Sequence, residues 1–87
     1  VADRNLYLSI SASKNQHLDI EIIVAILNNY CFGIDMHRFD ELETKTELSF
    51  LVGFSDHIAL NNCKKELQQK YPSVSISFLD SKGLYAP

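Results

Sequence analysis

A chain of 87 residues is long enough for one hydrophobic core and too short for two, so the sequence predicts a single domain over residues 1–87. Eight Lys and Arg against eleven Asp and Glu give a formal net charge of −3, which disfavours nucleic acid as a partner. The sequence contains no run of about 18 apolar residues, so it predicts no membrane-spanning segment. Because the chain begins at Val1 rather than Met, we expect it to be part of a longer protein.

The first two elements are predicted from the spacing of apolar residues. Residues 6–12 alternate between apolar and polar side chains, which is typical of a β-strand with one buried face. Apolar residues then recur about every four positions from Leu18 to Tyr30, which predicts a helix. We expect Asn15 to cap this helix at its N-terminus and Gly33 to end it.

A hairpin follows the first helix. Residues 34–39 and residues 47–54 each alternate again, which predicts two strands joined by a polar turn at residues 43–45. In the first of these strands, the alternation predicts that Asp35, His37 and Phe39 point to one face and that Ile34, Met36 and Arg38 point to the other.

The last two elements are a helix and a strand. Ser55 or Asp56 is the expected N-cap of the helix. Pro72 ends it, because proline disfavours helical geometry in the residue before it. Residues 74–79 alternate as a final strand, and residues 80–83 form a turn-like exit.

The element order predicts an α+β domain of the ferredoxin-like βαββαβ type, with a four-stranded antiparallel sheet and two helices on one of its faces. The opposite face of the sheet is then open. Because large side chains on an open face can form a contact surface, we expect an interaction face there. Its members are Tyr7, His37, Phe39, Leu51 and Leu79.

The loop after the first strand is a second candidate site. If the first helix begins near Asn15, its free backbone amides can bind an anion weakly beside Asn15 and Gln16, with Lys14 assisting. The loop has neither the arginine nor the glycines that an acylphosphatase-like phosphate site requires. We therefore expect at most a small-molecule ligand here and no catalysis.

The remaining reactive side chains predict no catalytic residues, no metal site and no cofactor. Pairs such as Asp35 with His37 have no third or fourth metal ligand at a recognisable spacing. Cys31 and Cys63 form neither a CxxC pair nor a disulfide framework, and we expect two reduced, buried thiols in a cytoplasmic protein.

The layout resembles an ACT-like regulatory domain over nearly the whole chain. The resemblance lies in the loop of residues 13–17, the apolar first helix and the strands at residues 48–52 and 74–78. ACT domains typically bind amino acids or pair side by side. More narrowly, the chain is similar to the soluble C-terminal domain of MgtC-type bacterial membrane proteins. That resemblance implies a cytosolic domain of an inner-membrane protein with a role in magnesium homeostasis.

Two functional hypotheses follow. The first is a non-catalytic regulatory or protein-interaction domain, whose partner is a second copy of the chain or the membrane domain of its parent protein. The alternative is a stand-alone small-molecule binder or small enzyme of ferredoxin-like fold.

Overall fold

The alternating segments and the two apolar stripes form the expected strands and helices in the computed structural model, which describes residues 4–80. The elements are β1 (Arg4–Ser13), α1 (Ile20–Tyr30), β2 (Cys31–Glu41), β3 (Lys45–Phe54), α2 (His57–Lys70) and β4 (Ser75–Asp80). The strands pair antiparallel in the order β2-β3-β1-β4. The predicted α+β, ferredoxin-like arrangement is confirmed.

The hydrophobic core lies on one face of this sheet. The two central strands, β1 and β3, bury every second side chain there, and α1 and α2 cover those side chains with their own apolar stripes. Each fully buried Leu, Ile or Phe contributes about 1.5–3 kcal/mol relative to an exposed one. The core side chains that are fully buried or nearly so are Leu8, Ile10, Ile23, Leu27, Leu48, Phe50, Val52, Phe54, Cys63 and Leu67.

The N-cap of α1 is Asp19, so the expectation that Asn15 caps this helix is wrong. The carboxylate of Asp19 accepts hydrogen bonds from the backbone amides of Glu21, at 2.9 Å, and Ile22, at 3.4 Å. The preceding residues form a turn instead, which is closed by a 2.9 Å hydrogen bond from the Gln16 amide to the Ser13 carbonyl. Asp19 satisfies two of the four unpaired amides that begin any α-helix.

The end of α1 also differs from the expectation, because Gly33 does not terminate it. The helix ends at Tyr30, and Cys31 already has extended geometry, with φ −109° and ψ 144°. Its amide still donates to the Leu27 carbonyl, so the last turn of the helix is satisfied without a glycine. Gly33 lies inside β2, opposite Gly53 of β3.

The bounds of α2 agree with the expectation. Asp56 is the N-cap, and its carboxylate accepts a 2.9 Å hydrogen bond from the Ala59 amide. Tyr71 is the C-cap and precedes Pro72. Of the turn expected at residues 80–83, Asp80 belongs to β4 and the other residues lie outside the described part of the chain. Within residues 4–80, neither helix is both long and apolar enough to cross a membrane.

A β-bulge interrupts β2 at His37. Met36 lies opposite Phe50, but Arg38 lies opposite Ser49, so His37 is an extra residue in this strand. One extra residue reverses the facing of every later side chain in a strand. The bulge therefore places Arg38 on the open face.

The same bulge changes the face of the sheet on which Phe39 lies. This residue lies opposite Leu48, a core residue, and therefore on the face that carries the helices. The prediction that Phe39 belongs to the open face is wrong, because strict alternation cannot account for an inserted residue.

Candidate interaction face

Four of the five side chains predicted for the interaction face lie together. Leu51 of β3, Tyr7 of β1 and Leu79 of β4 are direct neighbours across three adjacent strands. Strands lie about 4.8 Å apart, so these residues form a line about 10 Å long across the open face. With His37, which packs against Tyr7, they form what we call the apolar row.

His37 reaches the row from β2. Its ring meets the ring of Tyr7 edge to face, with the two centroids 5.5 Å apart and an angle of 89° between the ring planes. This geometry is favourable for aromatic rings. On its other side, Nε2 of His37 lies 3.8 Å from a carboxylate oxygen of Asp35, which is too far for a hydrogen bond. The contact with Tyr7 is therefore the one that fixes the position of the ring.

The apolar row remains accessible to a partner. Leu79 is 49% exposed, and Tyr7 and Leu51 are half-buried. Among residues 4–80, the buried core and both helices lie on the other face of the sheet, so neither helix covers the row.

Beside the row lies a group of serines that we call the serine field. Ser9 of β1 pairs with Ser49 of β3 and Ser77 of β4, and Ser11 pairs with Ser75. These side chains are short and carry both a donor and an acceptor. A partner surface can therefore approach the sheet closely at this point and still find hydrogen bonds.

Two ion pairs border the serine field. Nε of Arg38 lies 2.6 Å from a carboxylate oxygen of Asp40, and Nζ of Lys45 lies 3.4 Å from one of Glu47. Asp40 and Glu47 are cross-strand neighbours, so the two basic groups flank two adjacent acidic ones. With Asp35, the part of this face formed by residues 4–80 carries three acidic and two basic side chains, a balance that does not favour a phosphate backbone.

At the end of the face, an open depression of about 290 Å³ lies beside the paired glycines Gly33 and Gly53. Asn5, Asp35 and Leu51 also line it. The ring of Phe32 lies over Gly53, where a Cβ atom would stand only 2.5 Å from it. The absence of a side chain at Gly53 is thus what allows this ring to lie against the sheet.

The second predicted site, the loop with Lys14, Asn15 and Gln16, lies away from the interaction face. Nζ of Lys14 donates to the Leu42 carbonyl at 3.1 Å, and the Lys14 amide donates to the Thr44 carbonyl at 3.0 Å. These bonds tie the loop to the hairpin between β2 and β3. The amides of the first turn of α1 lie farther along the chain, with Asp19 bound to two of them. Ligand binding by Lys14, Asn15 and Gln16 stays a prediction. The helix N-terminus on which it was based does not lie at these residues, because α1 begins after Asp19.

The two cysteines are neighbours, which the sequence did not indicate. Both are free thiols; Cys63 is buried, whereas Cys31 is half-buried at the start of β2. A hydrogen bond between the thiols lowers the pKa of Cys31, and the same bond together with burial raises the pKa of Cys63. Cys31 is therefore the thiol of the pair that ionises first. Across residues 4–80, no three His, Cys, Asp or Glu side chains are grouped so that they could share a metal ion.

Comparison of the chain with protein-family models, with curated proteins and with solved structures gives no match. The resemblance to ACT-like domains, and to MgtC-type proteins in particular, accordingly stays a prediction.

Proposed function

We propose that this chain is a non-catalytic protein-interaction domain that binds a protein partner through the open face of its sheet. The observation that carries this proposal is the apolar row of Tyr7, His37, Leu51 and Leu79, which lies on the face opposite the helices. A partner that covers the row removes its apolar surface from water, which favours association. In the setting implied by the resemblance to MgtC-type proteins, the partner is the membrane domain of the parent protein, and the contact has a regulatory role.

The surroundings of the row support a protein as the partner. Apolar side chains at the centre with polar and charged groups around them are typical of protein interfaces. The depression of about 290 Å³ beside Gly33 lies just below the range of about 300–1,000 Å³ for small-molecule pockets, and it is open to solvent. It suits one inserted side chain of a partner better than an enclosed ligand.

Site-specific photo-crosslinking in cells tests this proposal. A photoreactive benzoylphenylalanine replaces Leu79 in the apolar row or, as the matched control, Ile58 on α2; both are exposed aliphatic residues. We expect a discrete protein adduct from position 79 and none of the same mass from position 58. Leu51→Glu, added to the chain with the probe at position 79, should abolish the adduct, because it places a charge at the centre of the row.

Circular dichroism shows whether Leu51→Glu leaves the domain folded. Absence of an adduct at position 79, or the same adducts at both positions, would refute the proposal. An adduct that persists in the folded Leu51→Glu variant would also refute it, since binding would then not depend on the row.

A further inference from the structure

The two thiols meet where the end of α1 packs beside α2. Cys31 directly follows the last residue of α1 and packs against the hydrophobic core, of which Cys63 of α2 is a fully buried member. The thiols share a hydrogen bond, so their sulfur atoms are in contact. A disulfide has a sulfur–sulfur distance of about 2.05 Å, and sulfur atoms already in contact need to move by less than about 2 Å to reach it.

A second hydrogen bond joins the same two segments of the chain. The hydroxyl of Tyr30, the residue before Cys31, donates to a carboxylate oxygen of Glu66. Glu66 lies three residues after Cys63, so the two side chains are neighbours on the surface of α2. The position of Cys31 beside Cys63 is therefore held by a contact that does not involve sulfur. Reactive groups that the fold holds next to each other react with a high effective concentration.

The two thiols differ in how easily a reagent can reach them. Cys31 is half-buried and thus partly open to a small molecule, whereas Cys63 has no exposed surface. The hydrogen bond from Cys63 also lowers the pKa of Cys31, which favours the thiolate, the form that acts as a nucleophile. Cys31 is therefore suited to attack an external reagent, and Cys63 is suited to react only with Cys31.

We propose that Cys31 and Cys63 form a reversible intramolecular disulfide by exchange with a small-molecule disulfide such as glutathione disulfide. The Cys31 thiolate attacks one sulfur of glutathione disulfide, forms a mixed disulfide and releases one glutathione thiolate. The Cys63 sulfur then attacks Cys31, and its proton passes to the second glutathione as that leaves. Two thiols of the chain are oxidised, and one glutathione disulfide is reduced to two glutathione molecules.

The bond would close residues 31–63 into a covalent loop that contains β2, β3 and the first half of α2. A disulfide across such a loop restricts the unfolded chain and so stabilises the folded one. Cys31 lies opposite Phe54, a core residue, so the bond is on the helical side of the sheet. This modification site is thus separate from the open face and goes beyond the proposed interaction there.

Equilibration in glutathione buffers tests the proposal. The purified chain is held at increasing ratios of glutathione disulfide to glutathione, quenched with acid and unfolded, and its free thiols are then blocked with N-ethylmaleimide. Because the sequence contains two cysteines, the intact mass shows directly how many thiols remain. We expect a monomer that carries no label and is lighter than the reduced chain by two hydrogen atoms. Excess dithiothreitol should restore the doubly labelled chain.

The two single-cysteine variants are matched controls for each other. Cys63→Ala should stop at the mixed disulfide between Cys31 and glutathione. Cys31→Ala should react with glutathione disulfide at least about tenfold more slowly, because the remaining thiol is buried in the folded chain. Circular dichroism shows whether both variants are folded. Equal rates for the two variants would refute the assignment of Cys31 as the attacking thiol.

Thermal unfolding shows whether the bond fits the fold. The oxidised chain should have a Tm about 10 °C or more above that of the reduced chain. Four outcomes would overturn the proposal: two labelled thiols at every buffer ratio, a reaction that stops at the mixed disulfide, disulfide-linked dimers in place of the monomer, or a Tm that does not rise on oxidation. None of these outcomes bears on the crosslinking at position 79, so the thiol pair and the open face are tested separately.

Discussion

The N-cap of α1 gives a quantitative test of the structure at the loop where a ligand site was predicted. In Asp19→Ala, the amides of Glu21 and Ile22 lose their carboxylate partner. Loss of an N-cap costs about 0.5–2 kcal/mol, and loss of the negative charge near the helix N-terminus costs about 0.3–1 kcal/mol, with the two effects partly overlapping. We therefore expect the free energy of unfolding to fall by about 1–2 kcal/mol.

Thermal unfolding monitored by circular dichroism measures this loss. In a domain of this length, 1 kcal/mol corresponds to a shift of about 4–8 °C in Tm, so Tm should fall by about 4–16 °C. Asp19→Asn should cost less, because asparagine is an equally good cap and only the charge is lost. Asn15→Ala is the matched control and should change stability by less than about 0.5 kcal/mol. A larger loss for Asn15→Ala than for Asp19→Ala would show that the helix starts where the sequence first suggested.

Three other positions give predictions for the core, the thiol pair and the glycine contact. Phe50→Ala should lower the free energy of unfolding by about 3–5 kcal/mol in urea titrations, because Phe50 is fully buried; a loss below about 1 kcal/mol would contradict its place in the core. The hydrogen bond with Cys31, and then burial, raise the pKa of Cys63. The raised pKa stabilises the fold fully below the ordinary thiol pKa of 9.0. This stabilisation is lost at higher pH, because there the unfolded chain releases the proton and the folded chain keeps it. The fall in unfolding free energy between about pH 8 and pH 10 should be smaller in Cys63→Ala, and an equal fall would exclude this thiol as a cause. Gly53→Ala should push the Phe32 ring off the sheet, which a change in the NMR signals of that ring would report; unchanged signals would contradict the contact.

The central part of the fold was predictable because alternation and burial agree there. β1 and β3 have neighbours on both sides and a helix layer on one face, so buried residues such as Leu8 and Phe50 recur at every second position. The stripe of α2 was equally clear, with Cys63 and Leu67 buried and lysines outside. Where one face of a helix or strand is buried and the other is exposed to solvent, the spacing of apolar residues in the sequence indicates the type of element directly.

The ends of α1 were less predictable for a physical reason. Several polar residues precede the helix, and any of them can cap it if its side chain reaches the free amides. Asp19 does so, while the loop before it is held to the hairpin through Lys14. Gly33 permits a helix end, but the chain enters β2 at Cys31, since this residue can adopt extended geometry without a glycine.

The neighbouring cysteines were missed because their proximity depends on tertiary packing. Cys31 begins an edge strand and Cys63 lies in the middle of α2, so no local pattern connects them. The sequence has no CxxC motif, and the two thiols come together only when α1, whose C-cap is Cys31, packs beside α2.

The bulge at His37 shapes the open face of the sheet. In a regular strand, residues on the same face are separated by an even number of positions, so Asp35 and Arg38 would point to opposite faces. The inserted residue brings both to the open face and turns Phe39 to the helical face. It also leaves the His37 ring against Tyr7. A single extra residue thus adds Arg38 to the open face and removes Phe39 from it, so alternation alone would have assigned neither residue to its true face.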